Sequence, residues 1–294
     1  MLDNIKNSKS NFSIKDLENI SGIKAHTIRI WEKRYGLLCP DRTDTNIRRY
    51  TLVSLQKLLN ISLLYNHGFK ISKIASLDQG DIPSIVRDIA LKSNSEQITI
   101  NAFKLSMVNF DTALFDLTYD EILFQNDFYF VFMNIFMPLV KELGILWQTN
   151  AINPSHEHFI TNLIKQKIHI QTEIVQKNNF EKKNGNVFVL YLPDNEIHDL
   201  GILFLNYFIQ KSGYKTIFLG QSLQIENLEK LISSNASLCY VSYLTVEPNK
   251  NIIDDYLLDF YNRFLKSSSA QLAVLGPQQI HIDLSKLSQK IHIF

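Results

Sequence analysis

The chain has 294 residues, 45% hydrophobic and 20% charged, which is the balance of a soluble globular protein of two or three domains. Its net charge of +1 is unevenly spread: residues 1–80 hold 13 Lys and Arg against 7 Asp and Glu, and residues 81–294 hold 17 against 22. With only Cys39 and Cys239, no apolar run near ~18 residues and a polar start, no disulfide framework, cysteine-rich zinc site, membrane span or signal peptide is expected, and the chain reads as cytoplasmic.

In chain order, residues 12–77 read as short helices. Ser13 with Asp16 three residues later is a helix N-cap pattern, followed by Leu17 and Ile20 at helical spacing and a break at Ser21-Gly22. A second helix is expected from about residue 24 to 35, ending at Gly36. Residues 38–50, LCPDRTDTNIRRY, read as a loop or small wing, and two further helices fit 51–66 and 70–77 around Gly68. Residues 78–94 are a junction. Residues 96–178 carry long helical patterns with few breakers, which predicts a four-helix bundle, and 179–186 form a polar linker. Strands at 187–193, 215–220, 238–245, 272–276 and 290–294 then alternate with helices at 200–212, 224–234 and 252–267. Apolar strands alternating with helices predict a parallel sheet covered on both faces.

A basic head on an acidic body points to a polyanionic partner for the head. In the helix KAHTIRIWEKRYGL, Arg29 and Lys33 share a side, and Arg34 and Tyr35 end the helix near Arg42, Arg48 and Arg49 of the loop. Taken singly, these residues fit a solvated charged helix with Trp31 and Tyr35 merely packed. Their order is more specific. Ser21-Gly22-Ile23, the run Thr27 to Leu37, Pro40-Asp41-Arg42 and Arg48-Arg49-Tyr50 resemble the MerR family of winged helix-turn-helix regulators. That resemblance implies that the second helix enters the major groove of double-stranded DNA and the wing grips phosphates. Thr27, Arg29, Trp31, Arg34 and Tyr35 would then face DNA, with Arg42, Arg48, Arg49 and Tyr50 as wing contacts. The long dimerising helix of many MerR proteins has no counterpart, since the helical bundle follows directly.

Behind the first strand of the α/β part lies Glu196-Ile197-His198-Asp199-Leu200-Gly201. Ligands of parallel sheets bind at the carboxyl ends of strands, where this turn sits. A histidine there is commonly a solvated side chain; as a metal ligand it needs an acceptor on its second nitrogen, which Glu196 could supply. Gly201 would let a bulky ligand approach the backbone. With Ser242-Tyr243-Leu244 and Leu275-Gly276 further on, the pattern resembles the cobalamin-binding domain of methionine synthases and mutases. The resemblance implies His198 as the lower cobalt ligand, Glu196 behind it, and Gly201, Ser242, Leu244 and Gly276 around the nucleotide tail. Pro277 stands where a second glycine is expected.

In the bundle, Trp147 precedes Glu157-His158 with nine residues between them. This resembles the cofactor cap of cobalamin-dependent, light-sensing MerR repressors of the CarH/LitR type. It implies Trp147, Glu157 and His158 as cofactor contacts and the adenosyl form of cobalamin over the methyl form. Gln148 replaces the histidine that follows the capping tryptophan in those sensors, and an amide is a poor cobalt ligand. The expected organisation is a winged helix-turn-helix head (1–80), a helical-bundle cap (95–179) and a Rossmann-like, flavodoxin-like cobalamin domain (186–294). The expected function is a DNA-binding regulator, a repressor rather than an enzyme, modulated by cobalamin and light and acting as a homo-oligomer, dimer or tetramer. Two alternatives are a cobalamin-dependent methyl-transfer module and a regulator whose degenerate, cofactor-free sensor binds proteins.

Overall fold

The computed structural model describes residues 11–78, 80–82, 84–86, 89, 95–148, 152–178, 185–231 and 238–294; the side chains of Ile145, Trp147, Gln148, Lys230 and Leu231 lie outside that description. The expected linker at 179–186 falls largely outside it, and the expected junction at 78–94 in part. The chain divides into two compact units, Met1–Ile164 and Lys165–Phe294.

In the first unit, helix α1 (Ile14–Ser21) starts at a capping box. The Ser13 hydroxyl accepts the Asp16 N–H at 3.2 Å, and the Asp16 carboxylate accepts the Ser13 N–H at 2.7 Å. Gly22, at φ 73°, ends the helix in a left-handed turn that a side chain would strain. Helix α2 (Ala25–Tyr35) stops in the same way at Gly36. The stretch expected as a loop or small wing contains a hairpin of β2 (Asp41–Arg42) and β3 (Arg48–Thr51), and β1 (Asn11–Phe12) pairs with the other edge of β3. Strand β1 is too short to show alternation and was invisible in the sequence. Thr51 caps α3 (Leu52–Asn66), and α4 (Ile71–Ala75) follows.

The helical stretch comprises α5 (Glu96–Asn109), α6 (Thr112–Gln125), α7 (Phe128–Phe130), a π-helical turn (Val131–Phe136) and α8 (Met137–Gln148). Helix α9 (Pro154–Asn178) runs from the first unit into the second. Phe103, Phe115 and Phe136 are fully buried, with the Phe103 ring 4.9 Å from Phe115 and 5.5 Å from Phe136. Residues 98–108 of α5 are all buried, because α3, α6 and α8 pack around it. Within this unit, α3 packs directly on α5.

In the second unit, β4 (Val187–Pro193), β5 (Lys215–Leu223), β6 (Leu238–Tyr243), β7 (Gln271–Leu275) and β8 (Ile291–Ile293) form a parallel sheet in the order β5-β4-β6-β7-β8. Alternate residues of β4 enter different cores, Val189 and Tyr191 on one face and Leu190 and Leu192 on the other. That two-sided burial explains why VFVLYLP contains no charged residue. Helix α10 (Leu200–Lys211) supplies Ile202 to one face, and α11 (Ile253–Phe260), continued by a π-helical turn (Tyr261–Leu265), supplies Leu257 and Phe260 to the other. The helix expected at 224–234 is a 3-10 segment, Ile225–Leu231, in its described part. The chain leaves β4 for β5 on one side and returns through β6 on the other. The carboxyl end of β4 is thus the switch point of the sheet, the place where open parallel sheets bind their ligands.

Candidate functional site

In the head, Arg29, Lys33 and Arg34 are exposed on α2, Thr27 and Tyr35 are half-buried, and Arg42 and Arg49 are exposed on the hairpin. The Arg34 guanidinium lies 5.9 Å from the centre of the Tyr35 ring, and Arg42 donates to Asn46 Oδ1 at 2.6 Å across the hairpin tip. Two expected DNA contacts are buried in the head instead. Trp31 is 4% exposed and meets the Tyr65 ring of α3 edge-on at 5.0 Å, so it packs the head. Tyr50 is fully buried, and its hydroxyl donates to Glu32 at 3.1 Å; burial, and then the Glu32 charge, push its pKa up to about 12. Arg48 is also committed, its Nε lying 3.2 Å from both Glu32 oxygens. Glu32 therefore ties the hairpin to α2. Nothing in the sequence singled it out, since its partners lie 16 and 18 residues away.

At the switch point, β4 runs into a turn in which Asn195 has φ 63° and the Glu196 N–H donates to Pro193 O at 3.0 Å. This turn points the Glu196 side chain inward, and the residue has no exposed surface. Glu196 Oε1 accepts the His198 N–H at 2.9 Å and meets His198 Nδ1 at 2.6 Å. Oε2 accepts three successive backbone N–H groups, Thr245 at 3.1 Å, Val246 at 2.7 Å and Glu247 at 2.9 Å. Burial alone would raise the carboxyl pKa. The donors from Val246, Glu247 and His198 outweigh it and hold the pKa below its ordinary 4.5. An ionised carboxylate can only accept, so Nδ1 is the donor of this contact, and in the neutral ring the Nε2 lone pair is left available. The His198 side chain is 53% exposed, and Nε2 has no hydrogen-bond partner among the described residues. An anchored imidazole with its outer nitrogen open is what ligation to a metal centre requires.

The other expected contacts divide. The Ser242 hydroxyl is buried without a partner among the described residues, as is Gln278 Oε1 beyond the end of β7. Unmatched buried polar atoms of this kind suit a ligand that brings its own hydrogen-bonding groups. Leu244 belongs to the core beside Tyr191 and Ile253. Gly276, at φ 101°, lets the end of β7 lie on the Leu244 backbone, where an added Cβ would come within 2.5 Å of the carbonyl oxygen. The space at Gly201 is taken by the Tyr243 ring, 2.6 Å from where a Cβ would stand. In this structure that glycine admits Tyr243, not an open approach to the backbone. Glu157 and His158 pair at 3.4 Å in the first turn of α9, with His158 well exposed. The side chains of Trp147 and Gln148 lie outside the described residues. His156 stacks on Phe110 at 4.8 Å, burial lowers its pKa, and its Nε2 is buried without a partner among the described residues. Among the described residues no three His, Cys, Asp or Glu side chains cluster as a metal site, and no helix is long and apolar enough to cross a membrane.

Residues 12–81 match the family model of the MerR HTH family regulatory protein, and residues 99–170 match the B12 binding domain. The chain is 22% identical over 227 residues to the HTH-type transcriptional repressor CarH of Myxococcus xanthus, covering 75% of this chain and 74% of that protein. It is 21% identical over 216 residues to the HTH-type transcriptional repressor CarA of the same organism, covering 70% and 67%. The monomethylamine corrinoid protein of Methanosarcina barkeri aligns with a TM-score of 0.51 at 15% identity, over 67% of this chain and 88% of that one; at that identity the likeness is one of fold.

Proposed function

We propose that this chain, which joins a MerR-family regulatory domain to a B12-binding domain, is a transcriptional repressor whose hold on DNA is set by cobalamin. The observation that carries the sensor half is the Glu196–His198 pair: a buried carboxylate stands 2.6 Å from Nδ1, and the ring's other nitrogen has no partner among the described residues. Cobalamin, when bound, would supply a cobalt centre able to take an imidazole ligand and to carry an exchangeable group. His198 would hold that centre, Glu196 would aim the ring, and Ser242 and Gln278 would offer their unmatched polar atoms to the tail. Trp147, Glu157 and His158 are proposed cofactor contacts.

In the head, Arg29 and Arg34 reach bases from α2 with Thr27 and Tyr35 beside them, and Arg42 and Arg49 hold phosphates. Arg48 and Tyr50 act indirectly, through Glu32. The chain acts as a homo-oligomer, so that joined heads gain affinity through effective concentration. A ligand that favours one assembly state shifts the population toward it and thereby changes DNA occupancy.

Two results follow for the halves separately. Arg42→Ala and Arg49→Ala should each weaken binding to all duplexes alike and flatten the log–log salt dependence by about 0.9 for each phosphate left unneutralised. An unchanged slope would remove the hairpin from the interface. The second concerns light. With Gln148 offering no second imidazole, illumination of the adenosylcobalamin-loaded protein should leave a single-imidazole visible spectrum, and Gln148→His should add a second imidazole. A two-imidazole spectrum in the wild type would assign the second ligand to His156 or His158.

A visible titration with hydroxocobalamin tests the sensor half directly. The expected product is the tail-displaced, imidazole-ligated form. If the protein binds duplex DNA but no cobalamin, the cofactor-free alternative replaces this reading; if it binds cobalamin but shows no sequence preference on DNA, the methyl-transfer alternative does.

A further inference from the structure

We propose that Gln221 and Ser222, at the carboxyl end of β5, are positioning residues for His198, fixing from outside the loop that Glu196 fixes from within. The inference rests on His198 being the cobalt ligand. Strand β5 does not simply run beside β4. Their pairing shifts register between Leu190 and Tyr191 and again between Tyr191 and Pro193, with Gly220 at φ 82° and Ser222 at φ 47°. A bulge of this kind bends a strand and re-aims its side chains. Here it carries the end of β5 against the turn that follows β4.

Four hydrogen bonds result. Gln221 Nε2 donates to Ile197 O at 2.7 Å, and the Ser222 N–H donates to Glu196 O at 3.2 Å. The Ser222 hydroxyl accepts the Asn195 N–H at 3.0 Å and donates to Asp194 Oδ1 at 3.1 Å. Every residue from 194 to 197 is thereby held by 221 or 222. The next residue is His198, whose own N–H and Nδ1 are held by Glu196 Oε1.

Core packing does not account for this arrangement, because Gln221 and Ser222 are both exposed. Exposed polar side chains contribute little to folding, yet these two spend their polar groups on one loop. Ser222 also adopts a left-handed backbone that a serine rarely takes, as strained residues at binding sites do. The geometry leaves the imidazole a narrow range of directions, which is the task of groups standing behind a metal ligand.

The test uses the full chain with Gln221→Glu, which keeps the shape but removes the donor to Ile197 O, and Ser222→Gly, which removes the hydroxyl while accepting the backbone. Each is titrated with hydroxocobalamin and followed by its visible spectrum, with thermal melting alongside. Each should bind about tenfold more weakly, at the low end of what groups behind a metal ligand contribute. Each should also show a larger fraction of the tail-ligated spectrum, with little change in melting temperature. Wild-type affinity and spectrum in both variants would overturn the positioning role, as would a loss of affinity that only tracks a loss of melting temperature. A wild type with no imidazole-ligated spectrum would overturn the His198 reading itself, and this inference with it.

Discussion

Replacing Glu196 with Ala is expected to lower the stability of the α/β unit by about 3–5 kcal/mol, the cost of stripping a buried ionic group from its partners. The carboxylate accepts two bonds from His198 and three from the Thr245, Val246 and Glu247 N–H groups. Without it, those three donors lose their common acceptor at a site where the Glu196 side chain had no exposed surface. Glu196→Gln should recover only part of this, because an amide accepts through one oxygen and its NH2 must face either the imidazole or the three N–H donors.

The same carboxylate predicts a pH dependence. Its folded pKa lies below the ordinary 4.5, so its contribution is fully present above that value and is lost as pH falls through the lower, folded pKa. The wild type should lose stability on acidification below about pH 4.5, and Glu196→Gln should lack that component. Denaturant unfolding at several pH values measures both effects. A variant within about 1 kcal/mol of wild type would mean that the loop at 245–247 does not depend on Glu196. Cobalamin affinity should fall by about 10–100-fold in parallel, as for other groups behind metal ligands.

Replacing His198 with Ala should have the opposite profile, with little effect on folding and a large one on the cofactor. The ring is half-exposed and gives up one side-chain bond, so the stability change should stay near about 1 kcal/mol. The imidazole-ligated spectrum should vanish, since His198 is the histidine of the turn that follows β4. A His198→Ala protein with the wild-type spectrum would place the lower ligand elsewhere.

The parts legible in the sequence were those encoded by neighbours. Ser13 with Asp16 announced the first helix, Gly22 and Gly36 its end and the next, and the uncharged VFVLYLP run a strand buried on both faces. Glu196 and His198 could be paired in advance because they stand two residues apart in a turn. What depended on distant partners was not visible. Trp31 turns inward because Tyr65 waits on α3, and Tyr50 does so because Glu32 accepts its hydroxyl. The second oxygen of Glu196 finds its donors about fifty residues on, and β5 reaches the turn before His198 through a bulge that no local pattern announces. Gly201 matched a motif, but only the fold showed the Tyr243 ring lying on it. The helix expected at 224–234 satisfied periodicity, yet its described part is a 3-10 segment.

The most direct test of the account joins its two halves in one measurement. Wild type and His198→Ala are each titrated onto a duplex that the wild type has itself enriched from a random pool, with and without saturating adenosylcobalamin. The account predicts that the cofactor changes the wild-type DNA affinity by at least the roughly fivefold typical of coupled sites. It also predicts that His198→Ala binds the same duplex but no longer responds to the cofactor. A wild-type affinity that is the same with and without cobalamin, or an equal response in His198→Ala, would contradict it.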